Sequence, residues 1–206
     1  MICHETKSIF IHIPRVAGTS IEVAFQGKDQ WNVNSRTKHL VASTAKKLYR
    51  DYWDEYFKFS FVRNPWDRMV SLCKYGNFHP REANRTYGCD IKSGTLNMRN
   101  YFKKFPTGRE IDPRTLSADD NFSDPIPNSV YFNILNEEID FIGKFENLQT
   151  DIQYVAERVK RNIKLQKKET SNHRHYSSYY DEPTKKLVEA TYAYDIEKLK
   201  YQFQKH

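Results

Sequence analysis

Short apolar runs alternate with longer stretches of mixed character along this chain. Ser8 to Ile13 (SIFIHI) is a compact apolar run that stops at a proline, the pattern of a buried strand ending in a loop. The loop PRVAGTS follows, and then IEVAF before Gly27 reads as a helix that ends at its glycine. Around Ser43 a second helix is expected, with Ser43 as its N-cap and Ala45, Leu48, Tyr49 and Tyr52 along the buried side. Phe57 to Val62 (FKFSFV) places aromatic residues at every other position, the period of a strand. Directly after it, Asn64 can cap a helix that has Pro65 at its first position and Asp67 in its first turn, with Met69, Val70, Leu72 and Cys73 on its apolar face.

The middle of the chain breaks this rhythm. From about His79 to Pro127 it is rich in Asn, Pro, Asp, Arg and Thr, with one helix expected near Leu96 to Phe105, and it reads as an insertion within the domain. Beyond it, Ile139 to Phe145 predicts a strand and Glu146 to Asn162 a helix carrying Leu148, Ile152, Val155 and Val159 at helical spacing. A polar, basic stretch from Lys164 to Ser178 precedes helices near Pro183 to Tyr194 and Asp195 to Phe203. Strands alternating with helices predict an α/β fold, a central parallel sheet flanked by helices, and such sheets bind ligands at the carboxyl ends of their strands. Both strand-to-helix joints lie at that edge.

Composition narrows the class. A chain of 206 residues suits one domain, taken as 1–206 with 79–127 shaping a binding site. Only 38% of residues are hydrophobic, but 14 Tyr, 13 Phe and 3 Trp supply the large buried areas a core needs, so disorder is not expected. A formal charge of +7 points to anionic ligands such as nucleotide phosphate, acidic glycan or nucleic acid. Cys3, Cys73 and Cys89 lack the spacing of a zinc site or a disulfide framework. No apolar run approaches the roughly 20 residues that span a bilayer, and no leader precedes the first strand, so a soluble, cytoplasmic protein without membrane insertion is expected.

Two places carry the chemistry. In PRVAGTS, Ala17 and Gly18 let the backbone approach a ligand, and the unpaired N–H groups of the following helix start favour phosphate or sulfate. Thr19 and Ser20 add hydroxyls and Arg15 a cation that can fork onto oxyanions. The loop lacks GxxxxGK[ST], so the lysine and Mg²⁺ arrangement of an ATPase is not supported and no metal is called for. At the second joint, Arg63 ends a strand and Ser71 lies two turns into the next helix, about 10 Å along its axis. Together they would make a second anion site, unless Arg63 simply pairs with Asp67.

The strand–PRVAGTS–helix unit and FSFVRNPWDRMVSLCKY resemble the family 2 sulfotransferases, the group of bacterial enzymes and Golgi glycan O-sulfotransferases. The resemblance extends to IDFIGKFENLQTD and to TSNHRHYSSYYDEPTKKLVEATYAYDIEKLKY, and so covers most of the chain outside 79–127. It implies a P-loop-like fold that binds 3′-phosphoadenosine 5′-phosphosulfate (PAPS) and transfers its sulfuryl group to an acceptor hydroxyl, on a carbohydrate by analogy. It further implies that Pro14, Arg15, Ala17, Gly18, Thr19 and Ser20 hold the 5′-phosphosulfate and that Arg63 and Ser71 hold the 3′-phosphate. Ser171, His173, Arg174 and Tyr176 match a loop that closes over the nucleotide.

One departure from the family pattern is Arg15, where relatives carry Lys. An electrostatic role on the leaving oxygen survives this change, whereas proton donation does not. The acceptor must also lose a proton, and His39, in KHLVAS, matches a recurrent family histidine and is the candidate base. Glu22 is a rival with an ordinary explanation in the helix dipole, and His12 reads as structural. A nucleotide-dependent phosphotransferase, a catalytically silent PAPS-binding protein and an RNA-binding module are the alternatives. The last lacks an RNP-type motif, so no nucleic acid partner is expected. For stacking on a sugar, Tyr87 and Tyr101 are the aromatic candidates in the insertion.

Overall fold

Ile9, Phe10 and Ile11 are all fully buried, as a strand must be when both faces of its sheet are covered. They form β2 (Ser8–Ile11), which pairs antiparallel with β1 (Ile2–Cys3) on one side. The computed structural model describes residues 1–78, 89–90, 95–96, 126–165 and 174–205. These fall into two compact units, one holding 1–63 and 131–165, the other 64–78, 89–90, 95–96, 126–130 and 174–205.

The first unit contains the sheet. After β2 come α1 (Gly18–Gln26), α2 (Gln30–Asn34), α3 (Ala42–Leu48), α4 (Arg50–Trp53) and β3 (Phe57–Val62). Later segments add a short helix at Tyr131–Ile134, a strand at Phe141–Lys144 and a helix at Leu148–Arg158. The sheet order is β1, β2, β3 and the 141–144 strand, and the last three run parallel. Register brings Phe10 beside Phe59 and Phe59 beside Phe141, so one face is a row of rings. Phe25 of α1 packs on Phe59 at 5.2 Å and Tyr154 of the 148–158 helix on Phe141 at 4.6 Å. Each fully buried ring contributes about 1.5–3 kcal/mol. Gly143 is required here, because a β-carbon would stand 2.5 Å from the Phe61 ring.

Side chains alternate along a strand, so Lys58 and Ser60 face the other side of the sheet. The Lys58 ammonium donates to the carbonyls of Trp53 and Tyr56, each at 3.2 Å, and lies 3.0 Å from Asp140. Helices therefore flank both faces, and the α/β architecture expected from the strand and helix pattern is the one observed.

Several local expectations needed correction. The strand expected over Ser8 to Ile13 stops at Ile11, and an antiparallel β1 precedes it. Ser43 is not an N-cap: Val41 occupies that place without a side-chain bond, while the Ser43 backbone N–H and hydroxyl bond to the Asn136 amide. The helix breaks at Tyr49, which turns Leu48 and Tyr52 outward, at 54% and 40% exposed. The 146–162 helix is shorter and opens with a 3-10 turn at Phe145–Asn147.

The second unit is organised by α5 (Pro65–Phe78). Asn64 Oδ1 accepts from the N–H groups of Trp66 and Asp67, the cap expected from the sequence. Helices at Glu182–Thr191 and Ala193–Leu199 follow, the first opened by an Asp181–Thr184 capping box. Trp66, Tyr176 and Tyr180 each contact the Phe203 ring edge-on. Arg68 is fully buried and donates to the Tyr192 hydroxyl at 2.7 Å, and buried Asp195 accepts from Ser129 Oγ and Val130 N. Cys89–Asp90 and Thr95–Leu96 form a two-stranded antiparallel pair. The rest of the 79–127 insertion, apart from residues 126–127, lies outside the described residues; of the helix expected near Leu96 to Phe105 only Leu96 is described, and it stands in this strand pair. Among the described residues, no helix is long and apolar enough to cross a membrane.

Candidate active site

The segment between β2 and α1 turns sharply. Arg15 and Ala17 adopt φ of 70° and 66°, the left-handed region, while Val16 between them does not. Non-glycine residues rarely stay there unless the surroundings hold them, and such residues collect at functional sites. Changes in the sign of φ along a short segment turn successive N–H groups toward one concavity, which suits an anion. Ala17 is the N-cap of α1 and supplies no side-chain bond to it, so its side chain does not compete for the first N–H groups of the helix. Pro14, Arg15, Ala17 and Thr19 are half-buried, and Gly18 and Ser20 are buried.

Beneath this loop lies a chain of buried polar groups. His12 Nδ1 donates to Glu22 Oε1 at 2.6 Å. Glu22 Oε2 accepts from Lys38 Nζ at 2.8 Å and from the Gln30 backbone N–H at 3.0 Å. Lys38 also binds Asp29 and donates to Thr19 Oγ1 at 3.3 Å, so its ammonium joins the loop to two carboxylates. His12, Glu22 and Lys38 are all buried. Burial alone would raise the Glu22 pKa, but the hydrogen bond and charge of His12 together with Lys38 hold it well below the usual carboxylate range. Burial pushes His12 down, against the pull of Glu22.

Glu22 is thus the counter-ion of a packed lysine. It lies beyond the first turn of α1, so the helix-dipole explanation does not apply. With both oxygens engaged, it is a poor candidate for the base.

His39 lies against this chain. Its ring meets that of His12 edge-on at 4.4 Å, and Nδ1 is 3.1 Å from the His12 carbonyl. A carbonyl can only accept, so Nδ1 carries the hydrogen and Nε2 of the neutral ring carries the lone pair. Burial, and then the proximity of His12, push the His39 pKa down to about 3. At neutral pH the ring is uncharged with its lone pair at Nε2, and the lowered pKa makes it a weaker proton acceptor than an exposed histidine.

Arg63 reaches the same loop from the end of β3. Its guanidinium donates to the Arg15 carbonyl at 3.2 Å and stacks on the Phe145 ring at 4.1 Å. The Tyr131 hydroxyl holds the Arg63 carbonyl. The two strand ends expected to carry the chemistry are therefore joined through Arg63 and Arg15.

The remaining predicted positions lie in the second unit or outside the described residues. Ser71 is fully buried on α5. Arg174 is exposed and lines an open groove of about 610 Å³ with His175, Lys185, Phe203 and Lys205. Tyr176 belongs to the core, its hydroxyl accepting from the Gln204 N–H. Ser171, His173, Tyr87 and Tyr101 are outside the described residues.

Sequence reasoning missed Lys38. A lysine beside the candidate base carried no motif, and the nearest signal was a pair of acids, Glu22 and Asp29, with no cation at helical spacing to match.

The model of the sulfotransferase family matches residues 1–202. A curated protein from Danio rerio, carbohydrate sulfotransferase 14, is 29% identical over 182 residues, covering 77% of this chain and 47% of that protein. This chain therefore spans about half the length of that relative. No solved structure gives a significant match. Because the family match runs from before the first strand to beyond the last helix, and so takes in both strand-to-helix joints, the chain belongs to the sulfotransferase family.

Proposed function

We propose that this protein transfers the sulfuryl group of PAPS to a hydroxyl of a carbohydrate acceptor. The observation that carries this reading is the Arg15–Ala17 turn at the start of α1, tied by Arg63 to the neighbouring strand end. Family membership supports PAPS as donor. The name of the Danio rerio relative supports a sugar as acceptor.

When bound, PAPS supplies an activated sulfur whose bond to the bridging oxygen breaks as the acceptor oxygen bonds to it. The turn from Pro14 to Ser20 binds the 5′-phosphosulfate through backbone N–H groups and the Thr19 and Ser20 hydroxyls. Lys38 donates to Thr19 Oγ1, which leaves the Thr19 hydrogen to point to an anion. Arg15 neutralises charge that builds on the leaving oxygen and, as a guanidinium, does so without giving up a proton. His39 Nε2 takes the proton of the attacking hydroxyl. By the family resemblance, Arg63 and Ser71 recognise the 3′-phosphate, and Ser171 and Arg174 cover the nucleotide.

Thermal unfolding with nucleotides tests the reading. 3′-Phosphoadenosine 5′-phosphate (PAP) should stabilise the protein much more than AMP or ATP and without Mg²⁺, because ligands bound only to the folded state raise its stability by mass action. Arg63→Ala removes a charge-assisted contact worth about 1.5–3 kcal/mol, so PAP affinity should fall about ten- to a hundredfold with little change for AMP. Ser71→Ala should show a smaller loss of the same kind. Equal stabilisation by PAP and AMP in the native protein would overturn the reading.

A further inference from the structure

Trp31 is held firmly and yet left open. Its helix, α2, is five residues long and tied down at each polar handle. Asp29 Oδ1 accepts from the Trp31 N–H at 3.0 Å and is itself bound by Lys38. The Gln30 N–H bonds to Glu22, and the Gln30 side chain bonds to Gln26 at 2.8 Å and to Thr37 at 2.7 Å. The buried Glu22–Lys38–Asp29 chain thus fastens α2 to α1. Despite this anchoring the indole is 44% exposed, whereas Trp53 and Trp66 are buried.

Its surroundings place it beside the reacting groups. The Trp31 ring meets His39 edge-on at 5.9 Å, and Lys38 Nζ lies 5.7 Å from its centroid. His39 also packs against His12 and holds the His12 carbonyl through Nδ1, and Nε2 has no hydrogen-bond partner among the described residues. A large rigid ring against that imidazole offers a flat apolar face with an electron-rich surface. The axial C–H face of a pyranose matches such a surface, and a sugar resting there presents its rim of hydroxyls sideways. Orientation of this kind is what a transfer between two bound reactants requires.

From this juxtaposition we propose that Trp31 is the platform of the acceptor subsite, on which a pyranose ring stacks so that one of its hydroxyls reaches Nε2 of His39. The inference rests on the sulfuryl-transfer reading and adds to it where the acceptor sits and what chemistry recognises it. The rigid anchoring of α2 has a purpose in this view, because a platform that moved by an ångström would misplace the hydroxyl.

The test uses the full chain saturated with PAP and titrated with unsulfated chondroitin, heparosan and N-acetyllactosamine oligosaccharides, followed by tryptophan emission. At least one saccharide should give a saturable change that disappears in Trp31→Phe, since the other two tryptophans are buried. Trp31→Ala should weaken that saccharide about tenfold, the scale of one aromatic stacking contact, and leave PAP affinity unchanged. Trp31→Phe should fall between the two when binding is measured by calorimetry. Unchanged saccharide affinity in Trp31→Ala overturns the inference, as does a native protein that binds PAP and none of the saccharides. If p-nitrophenol, titrated in the same way, gave a response and the saccharides none, the platform would belong to phenolic acceptors and the inference would equally be overturned. Failure to bind PAP would instead strike the sulfuryl-transfer reading itself.

Discussion

The imidazole of His12 lies directly under the α-carbon of Gly18, so close that a β-carbon on residue 18 would stand 1.9 Å from Nε2. The first residue of α1 therefore rests on the ring whose other nitrogen binds Glu22. The glycine of the loop is required by this packing and not by its own φ.

Gly18→Ala must displace either the helix start or the buried ring. Overpacking of this kind costs about 1–3 kcal/mol, and the urea midpoint should drop accordingly. PAP-dependent stabilisation should fall with it, because the helix start moves. An alanine variant with native stability and native PAP binding would show that the close contact is not rigid.

Among the described residues, the Glu22 carboxylate is bound by the Lys38 ammonium and by the His12 ring, which burial keeps neutral. Lys38→Met keeps most of the apolar stem and leaves a buried carboxylate uncompensated, which costs about 3–5 kcal/mol. The double variant Lys38→Met/Glu22→Gln should recover much of that loss, since neither charge then remains. Additive losses in chemical denaturation would remove the ion pair from the account of stability.

The histidines make acid sensitivity a second readout. His39 falls from an ordinary value of 6.5 to about 3 on folding, and His12 shifts in the same direction. Between those values the unfolded chain holds a proton that the folded chain does not, so stability declines as pH drops below about 6.5. Glu22, lowered from 4.5, adds a further loss as pH falls below that value. His39→Ala should flatten the stability curve between pH 7 and 5. At pH 7 it should also cost roughly 10² to 10⁴ in turnover with PAP affinity kept, the usual share of a placed base. Native kcat/KM should show no acidic limb near 6.5 from this residue, and a limb there that persists in His39→Ala would move the role of base elsewhere.

Arg15 should separate chemistry from binding. The charge it meets is largest in the transition state, so Arg15→Ala should reduce turnover far more than PAP affinity, while Arg15→Lys should retain or raise turnover. Equal turnover in native protein and Arg15→Ala would remove this residue from the mechanism and favour a protein that binds the nucleotide with little catalysis.

Much of the frame was legible before any coordinates. FKFSFV announces a buried strand because its rings repeat at the two-residue period, and β3 spans Phe57–Val62 as read. Asn64 before Pro65 marks a helix start because each residue suits the unpaired N–H groups or fixed φ of a first turn, and the cap forms. Ser43 carried the same kind of local signal and misled. Its backbone N–H is taken by Asn136, 93 residues away, and no window around Ser43 contains that partner.

By itself, the sequence determined the alternation of strand and helix, the two joints at the strand ends, and the hydroxyl and guanidinium residues placed there. These depend on neighbours within one or two turns, whose propensities are written in order along the chain. The buried chain from His12 through Glu22 and Lys38 to Asp29, the neutral state of His39 and the exposed seat of Trp31 were decided only by tertiary structure. A charge becomes buried, a pKa falls and a ring stays open according to what packs around it, and those neighbours come from β2, α1 and the segment after α2, which are brought together only when the sheet is covered.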